Sequence, residues 1–256
     1  MIRINENNEK EVALINIFTS INGEGYAAGK PTVFIRTMGC NLRCSWCDTK
    51  ECWTKELFKT VYPEREDFIW LSAKQIFTWV ELIENNWRHK SICLTGGEPL
   101  MEDNREFMLN ELLPLFVKAH YDVGIETNGG IDYTPYKEKF GDSKIVNGFG
   151  DREGVTIVAD YKLPRSGMTD KMIKNNLNLY SDMDLIKMVV SDDPRDWEEL
   201  EYVVNSDTKA SIYISPCFGE VEMKKLPEFV LKHPDKKIRA QIQIHKIFWE
   251  PSKKDV

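Results

Sequence analysis

The chain has 256 residues, 42% of them hydrophobic and 29% charged, with a formal net charge of −7. That composition belongs to an ordinary globular protein and argues against disorder. The acidic balance argues against broad electrostatic binding to nucleic acid or an anionic membrane, and leaves room for a local basic pocket.

No run approaches the roughly 20 apolar residues of a spanning helix. The first ten residues, MIRINENNEK, lack the apolar core of a signal peptide. The expected location is the cytoplasm, where the six cysteines are reduced thiols and a cluster of them points to metal or redox chemistry. The length fits one domain over 1–256, with no repeat and no low-complexity linker.

In chain order, Ala13–Phe18 and Thr32–Arg36 are predicted strands separated by a glycine-rich turn, and 40–70 is a loop region rich in Cys, Trp and charge. Ser72 opens a helix through SAKQIFTWVELIENN, with Ile76, Trp79, Val80 and Ile83 on one face. Ser91–Thr95 is a strand stopped by Gly96–Gly97. Residues 104–119 form a helix bent near Pro114, Val123–Thr127 a strand stopped by Asn128–Gly129–Gly130, and 131–150 an irregular stretch. Val155–Tyr161 is a strand, 169–180 helical, Leu185–Val190 a strand. A helix over 193–205 starts at SDDP, with Pro194 in its first turn. Ala210–Ile214 is a strand, 220–233 a helix and Ile238–Ile244 the last strand. This alternation predicts an α/β fold with a parallel sheet, whose functional groups gather at the C-terminal strand ends.

Directly after the second strand comes Cys40-Asn-Leu-Arg-Cys44-Ser-Trp-Cys47, a C-x3-C-x2-C spacing. A [4Fe–4S] cluster normally takes four cysteines; three leave one iron open to a small molecule. The alternative is a structural zinc site completed by Cys52, although this spacing is not a usual zinc pattern. Cys93 and Cys217 sit in strand-like surroundings and read as small core or near-site residues rather than ligands. Thr95-Gly96-Gly97-Glu98-Pro99 ends another strand. Its glycines free the backbone for close approach, and Glu98 offers a carboxylate to a cationic amine; read alone, it is a turn with a solvated Glu. The segment Gly23-Glu-Gly-Tyr-Ala-Ala-Gly29 does not have the G-x-G-x-x-G spacing of a dinucleotide site.

The cysteine loop resembles the signature of the radical S-adenosylmethionine (SAM) superfamily, and Gly96-Gly97-Glu98-Pro99 matches its SAM-amine motif. The assembly F-x-S-I-N-G-E-G…G-x-P…F-I-R-x-x-G-C-N-L-x-C-x-W-C-D-T closely resembles the 7-carboxy-7-deazaguanine synthase family. Glu126-Thr-Asn-Gly129, Asp160-Tyr-Lys-Leu-Pro-x-Ser-Gly167 and Gln243-x-His-Lys246 match it too. The resemblance runs from about residue 12 to 251. Asn22 departs from it, where many members carry Gln, and 130–153 and Ser252–Val256 match nothing in it.

The resemblance implies a partial parallel β/α barrel, with the strand and turn near 12–30 and the strand and tail near 238–256 as family-specific additions. It implies a [4Fe–4S] cluster on Cys40, Cys44 and Cys47, SAM as a regenerated cofactor, and Mg2+ on Thr49. SAM would be lined by Trp46, Cys47, Asp48, Gly97, Glu98, Asp160, Tyr161, Lys162, Ser215, Pro216, Cys217 and Phe218. The implied substrate is 6-carboxy-5,6,7,8-tetrahydropterin, contacted by Ile21, Asn22, Gly23, Arg36, Thr95, His245 and Pro251. Some members end near the Pro251 position with a free carboxylate beside the substrate; this chain continues to Val256, so that contact would differ. The adenosyl radical would take hydrogen from C6, the ring contract and ammonia leave, giving 7-carboxy-7-deazaguanine for queuosine and related deazapurines. Expected partners are an electron donor such as flavodoxin or ferredoxin and a second copy of the chain, with no nucleic acid and no membrane. Two other readings are an activase of a glycyl-radical enzyme or reductase, which needs a protein partner, and a non-enzymatic iron–sulfur or zinc protein, which has no use for GGEP.

Overall fold

The computed structural model describes residues 1–84, 87–88, 90–146, 150–250 and 253–255. Strands β1 (Ile2–Ile4), β2 (Lys10–Ile21) and β3 (Pro31–Thr37) come first, then α1 (Lys55–Val61), β4 (Ile69–Ser72) and α2 (Ala73–Ile83). β5 (Ser91–Gly96) leads into α3 (Glu102–Phe107) and α4 (Leu113–Lys118). β6 (Asp122–Asn128) leads into α5 (Thr134–Phe140), β7 (Lys144–Ile145) and β8 (Arg152–Asp160). β9 (Leu185–Val190), α6 (Pro194–Val204), β10 (Ser211–Pro216), α7 (Lys225–Lys232), β11 (Ile238–Ala240) and α8 (His245–Phe248) complete the order.

The main sheet runs β1-β2-β3-β5-β6-β8-β9-β10-β11. Along that path every pairing from β3 to β11 is parallel, while β2 pairs antiparallel with β1, β3 and β4, and β7, off the path, pairs antiparallel with β8. The sheet has two open ends and is a partial β/α barrel. Parallel strands covered on both faces read as continuous apolar runs: Ser91–Thr95 of β5 and Asp122–Ile125 of β6 are buried without interruption. The register brings the strand ends level, pairing Arg36 with Thr95, Thr37 with Gly96, Asn128 with Asp160 and Asp160 with Lys187. Among the described residues no helix is long and apolar enough to cross a membrane.

Local chemistry explains several boundaries. Ser72 and Gln75 form a reciprocal capping box that starts α2. Asp193 caps α6 with Pro194 in its first turn. In α2, Ala73, Ile76 and Val80 face the core, but Trp79, placed on that face by its spacing, is 39% exposed.

Other expectations are corrected. The stretch 40–70 carries α1 and β4, and 131–150 carries α5 and β7. Residues 169–180 form only 3-10 turns, Thr169–Lys171 and Lys174–Asn178; the buried Asn176 amide donates to the carbonyl of Ile131, a tertiary bond competing with helix. The bend near Pro114 is a π-turn, Met108–Leu112, which puts the proline in the first turn of α4, where its missing N–H costs little. The last strand stops at Ala240 rather than Ile244, because Gln241 and Ile244 bond to the turn at Gly23–Gly25. His245 therefore opens α8 rather than directly following a strand.

Replacing Ser72 with Ala should remove the capping box and about 1 kcal/mol of stability. For a domain of this size that lowers Tm by about 2–4 °C in calorimetry; an unchanged Tm would show the box to be energetically silent.

Candidate active site

The levelled strand ends enclose a cavity of about 520 Å³. Its wall includes Cys40, Cys44 and Cys47, from the loop after β3. Two glycines position that loop. A Cβ on Gly97 would lie 2.0 Å from the carbonyl oxygen of Gly39, and one on Gly96, whose φ is +127°, would meet the backbone of Thr37 at 2.3 Å. Backbone N–H groups close the contact, Gly97 to Thr37 at 3.1 Å and Glu98 to Gly39 at 2.7 Å. The cysteine loop thus rests directly on the strand end, with no side chain between them.

The three thiols line the same cavity. The Leu42 N–H and, more weakly, the Asn128 side-chain amide point at Cys40 Sγ, at 3.4 and 3.9 Å, the outer bonds that tune a ligated thiolate. Burial pushes the free Cys40 thiol up to about 11 and raises Cys44 as well; bonding to metal offsets that cost of ionisation. Cys52 is fully buried with Ala13, Ile15, Met38, Phe58 and Phe68 and does not line the cavity. Among the described residues no three His, Cys, Asp or Glu side chains converge on one ion. A cubane takes each thiolate on a different iron, so its ligands need not converge.

Beside the loop, Lys162 pairs with Asp160 at 2.9 Å and lies 4.7 Å from the Trp46 ring. Burial would raise Asp160, but Lys162 and Lys187 outweigh it and hold the carboxylate low. Its Oδ1 is buried without a hydrogen-bond partner. Thr49 Oγ1 lies 3.7 Å from Cys47 Sγ, and both Asp48 and Thr49 reach the wall.

The wall also carries groups the sequence reading did not assign, Phe18, Phe34, Glu24 and Lys187 among them. Phe18 and Phe34 stack with ring centres 5.1 Å apart, and the Arg36 guanidinium stands 5.3 Å from Phe18. Lys187 is held by Glu24 and, at 3.7 Å, by Glu126, whose other oxygen accepts from Thr95 at 3.0 Å. Burial works against the lysine's charge, yet Glu126, Glu24 and Asp160 raise its pKa well above the ordinary value. Glu24 Oε1 remains buried without a partner. Ile21, Asn22, Gly23 and His245 also reach the wall. Asn22 spends its carbonyl oxygen on the Glu24 N–H, and His245 Nδ1 occupies the space a Cβ on Gly23 would need. Burial lowers the His245 pKa, so the imidazole is neutral at pH 7.

Among the described residues, the other named ones lie off the wall. Glu98 is fully buried beneath it: Oε1 accepts from Leu100 N and Thr127 Oγ1, and Oε2 from Asn128 N. Tyr161 donates its hydroxyl to Glu199. Ser215, Pro216 and Cys217 do not reach the cavity, and Phe218 is 69% exposed. Cys93 is a core residue. Pro251 lies outside the described residues.

A family model described as the radical SAM superfamily matches residues 34–143. A 7-carboxy-7-deazaguanine synthase of Clostridium acetobutylicum is 34% identical over 95% of this chain and 98% of its own. The chain belongs to the 7-carboxy-7-deazaguanine synthase family. A synthase of the same name from Methanospirillum hungatei is 31% identical over 93% of this chain and 86% of its own. The crystal structure of QueE from Escherichia coli has the same fold, with a TM-score of 0.64, 23% identity and coverage of 91% and 94%. Membership of the radical SAM superfamily implies a [4Fe–4S] cluster and SAM, and the three cavity thiols with N–H groups aimed at Cys40 suit the cluster.

Three donors on one buried carboxylate make Glu98 a keystone of the strand ends. Glu98→Gln sets an amide N–H2 against one of those donors, which should cost about 1–3 kcal/mol. The denaturation midpoint of the metal-free protein should fall accordingly; an unchanged midpoint would leave SAM contact as the only role for this carboxyl.

Proposed function

We propose that the chain converts 6-carboxy-5,6,7,8-tetrahydropterin to 7-carboxy-7-deazaguanine with loss of ammonia, as a radical SAM lyase of deazapurine biosynthesis. One observation carries the reading: the wall of one cavity holds three thiols together with an arginine beside stacked aromatic rings and two carboxylates paired with Lys187. When bound, the cluster and SAM supply a 5′-deoxyadenosyl radical.

The side chains divide the remaining work. Cys40, Cys44 and Cys47 would hold the cluster. Trp46 offers a ring face to adenine, Gly97 a bare backbone, and Asp160 an unpaired oxygen to a ribose hydroxyl, with Lys162 keeping it ionised. Phe18 and Phe34 provide a flat apolar wall for a pterin. Arg36, with buried Nε hydrogen free of any hydrogen bond, suits a carboxylate. Glu24 and Glu126 can accept from the N–H edge of an aminopyrimidinone, their charge balanced by Lys187. Neutral His245, packed on Gly23, gives or accepts one hydrogen bond.

The Thr49 hydroxyl, with Asp48 beside it, offers hard oxygen to Mg2+, which keeps much of its water. An electron donor such as flavodoxin or ferredoxin and a second copy of the chain are the expected macromolecular partners; Ile247 and Phe248 of α8 present exposed apolar surface such a copy would cover.

The deciding assay is anaerobic turnover of the tetrahydropterin by reconstituted protein with a chemical reductant and no protein substrate. Product formation supports the synthase; its absence together with activation of a glycyl-radical protein would overturn it. Ala at Cys40, Cys44 or Cys47 should abolish SAM cleavage and lose iron. Cys52→Ala should keep both, and iron loss on Cys52→Ala but not on Cys44→Ala would reverse the ligand assignment.

Thr49→Ala should lower turnover and most of its magnesium dependence while cluster content and SAM binding stay near wild type, because a ~1 Å misplacement of substrate can cost about a hundredfold. Thr49→Ser should be much milder. A wild-type magnesium response in Thr49→Ala would make this hydroxyl a packing group.

A further inference from the structure

Lys253, Lys254 and Asp255 contribute to the cavity wall. Lys254 is the anchor of this segment. Its ammonium pairs with Glu51 at 3.0 Å, a carboxylate only 4% exposed, and donates to the carbonyl of Asp48 in the cysteine loop. Asp255 points inward: Oδ1 stands 3.9 Å from Arg36 Nε, and Oδ2 accepts from the Tyr62 hydroxyl at 3.4 Å. Among the described residues Asp255 is the one acid paired with Arg36, and that same guanidinium has a buried Nε lacking a hydrogen bond.

A carboxylate held near an arginine that is otherwise unsatisfied occupies the place of an anionic ligand. At 3.9 Å the pair is loose, so it can be exchanged for a closer, bidentate one. Lys254 binds elsewhere, on the cysteine loop, so the strap can stay attached while its tip moves.

We propose that Lys253–Asp255 is a strap in which Asp255 is an internal competitor for Arg36, exchanged for the carboxylate of the incoming substrate while Lys254 keeps the segment on the loop. This rests on the reading that Arg36 receives the substrate carboxylate. The strap sets affinity and selectivity: a ligand with a carboxylate displaces Asp255, and one without it does not.

The competitor's strength bounds the effect. A partly exposed ion pair of this kind shifts an equilibrium by about two- to fivefold, and the apparent Kd carries that factor as the fraction of molecules in which Arg36 is free. The test is calorimetric binding of the carboxylated tetrahydropterin, and of the same pterin lacking its carboxylate, to the reconstituted holoenzyme with SAM under anaerobic conditions. Asp255→Asn is the variant of choice, because residue 255 has a φ of +60°, a conformation Asn tolerates. It should tighten the carboxylated ligand about two- to fivefold and leave the other unchanged. Tyr62→Phe, which frees the second oxygen of Asp255, should move affinity the same way. Unchanged or weaker binding of the carboxylated pterin in both variants overturns the strap. Arg36→Gln separates the two ideas. If it leaves that affinity at the wild-type value, Arg36 is not the carboxylate site and the parent reading fails; if it weakens binding while Asp255→Asn does nothing, only the strap fails.

Discussion

Gly97 has no room for a side chain, because the carbonyl of Gly39 lies where a Cβ would be. Everything at the mouth of the barrel is built from that contact. The Glu98 N–H bonds the glycine turn to Gly39 of the cysteine loop and the Gly97 N–H bonds it to Thr37 at the end of β3, while the Glu98 carboxylate accepts from Thr127 and Asn128 of β6 and from Leu100 in its own turn. Loop, glycine turn and β6 end therefore form one rigid block. A side chain at Gly96 or Gly97 would push its Cβ against backbone, which no rotamer change can relieve.

Inside that block the chemistry is electrostatic. Lys187, Glu24, Glu126, Asp160 and Lys162 line one cavity, and neighbouring charges favour the ionised forms of Asp160, Lys162 and Lys187. Burial opposes the charge on Asp160, Lys162 and Lys187, and in every case the partners win. The arrangement leaves two oxygens, on Glu24 and Asp160, buried and unpaired. Unsatisfied polar atoms in a low-dielectric interior are costly, so their presence on a cavity wall marks them for a ligand. The segment 253–255 lines the same cavity and sets the Asp255 carboxylate 3.9 Å from Arg36.

Much of this was legible in the residues. Alternating apolar runs and glycine stops give the parallel strands within a few positions, because a doubly covered strand needs continuous apolar sequence. The capping box at Ser72 and the Asp193-Pro194 start are local and readable in four residues. Where tertiary bonds outweigh local preference, reading failed. Asn176 gives its amide to Ile131 and the expected helix breaks into turns; Gln241 and Ile244 bond to the 23–25 turn and the last strand stops early.

The sequence by itself determined the chemistry: three cysteines at fixed spacing, a glycine pair behind a strand, and the polar residues at strand ends, since such identities depend on covalent order alone. Only the tertiary structure decided which of them share a surface. It separates Cys52 from the other three thiols, sinks Glu98 beneath the wall and leaves Ser215 to Phe218 off it. It also brings together Phe18, Glu24, Glu126, Lys187 and Asp255. Their proximity follows from strand register and from chain segments more than 200 residues apart meeting in space, and no local periodicity encodes either.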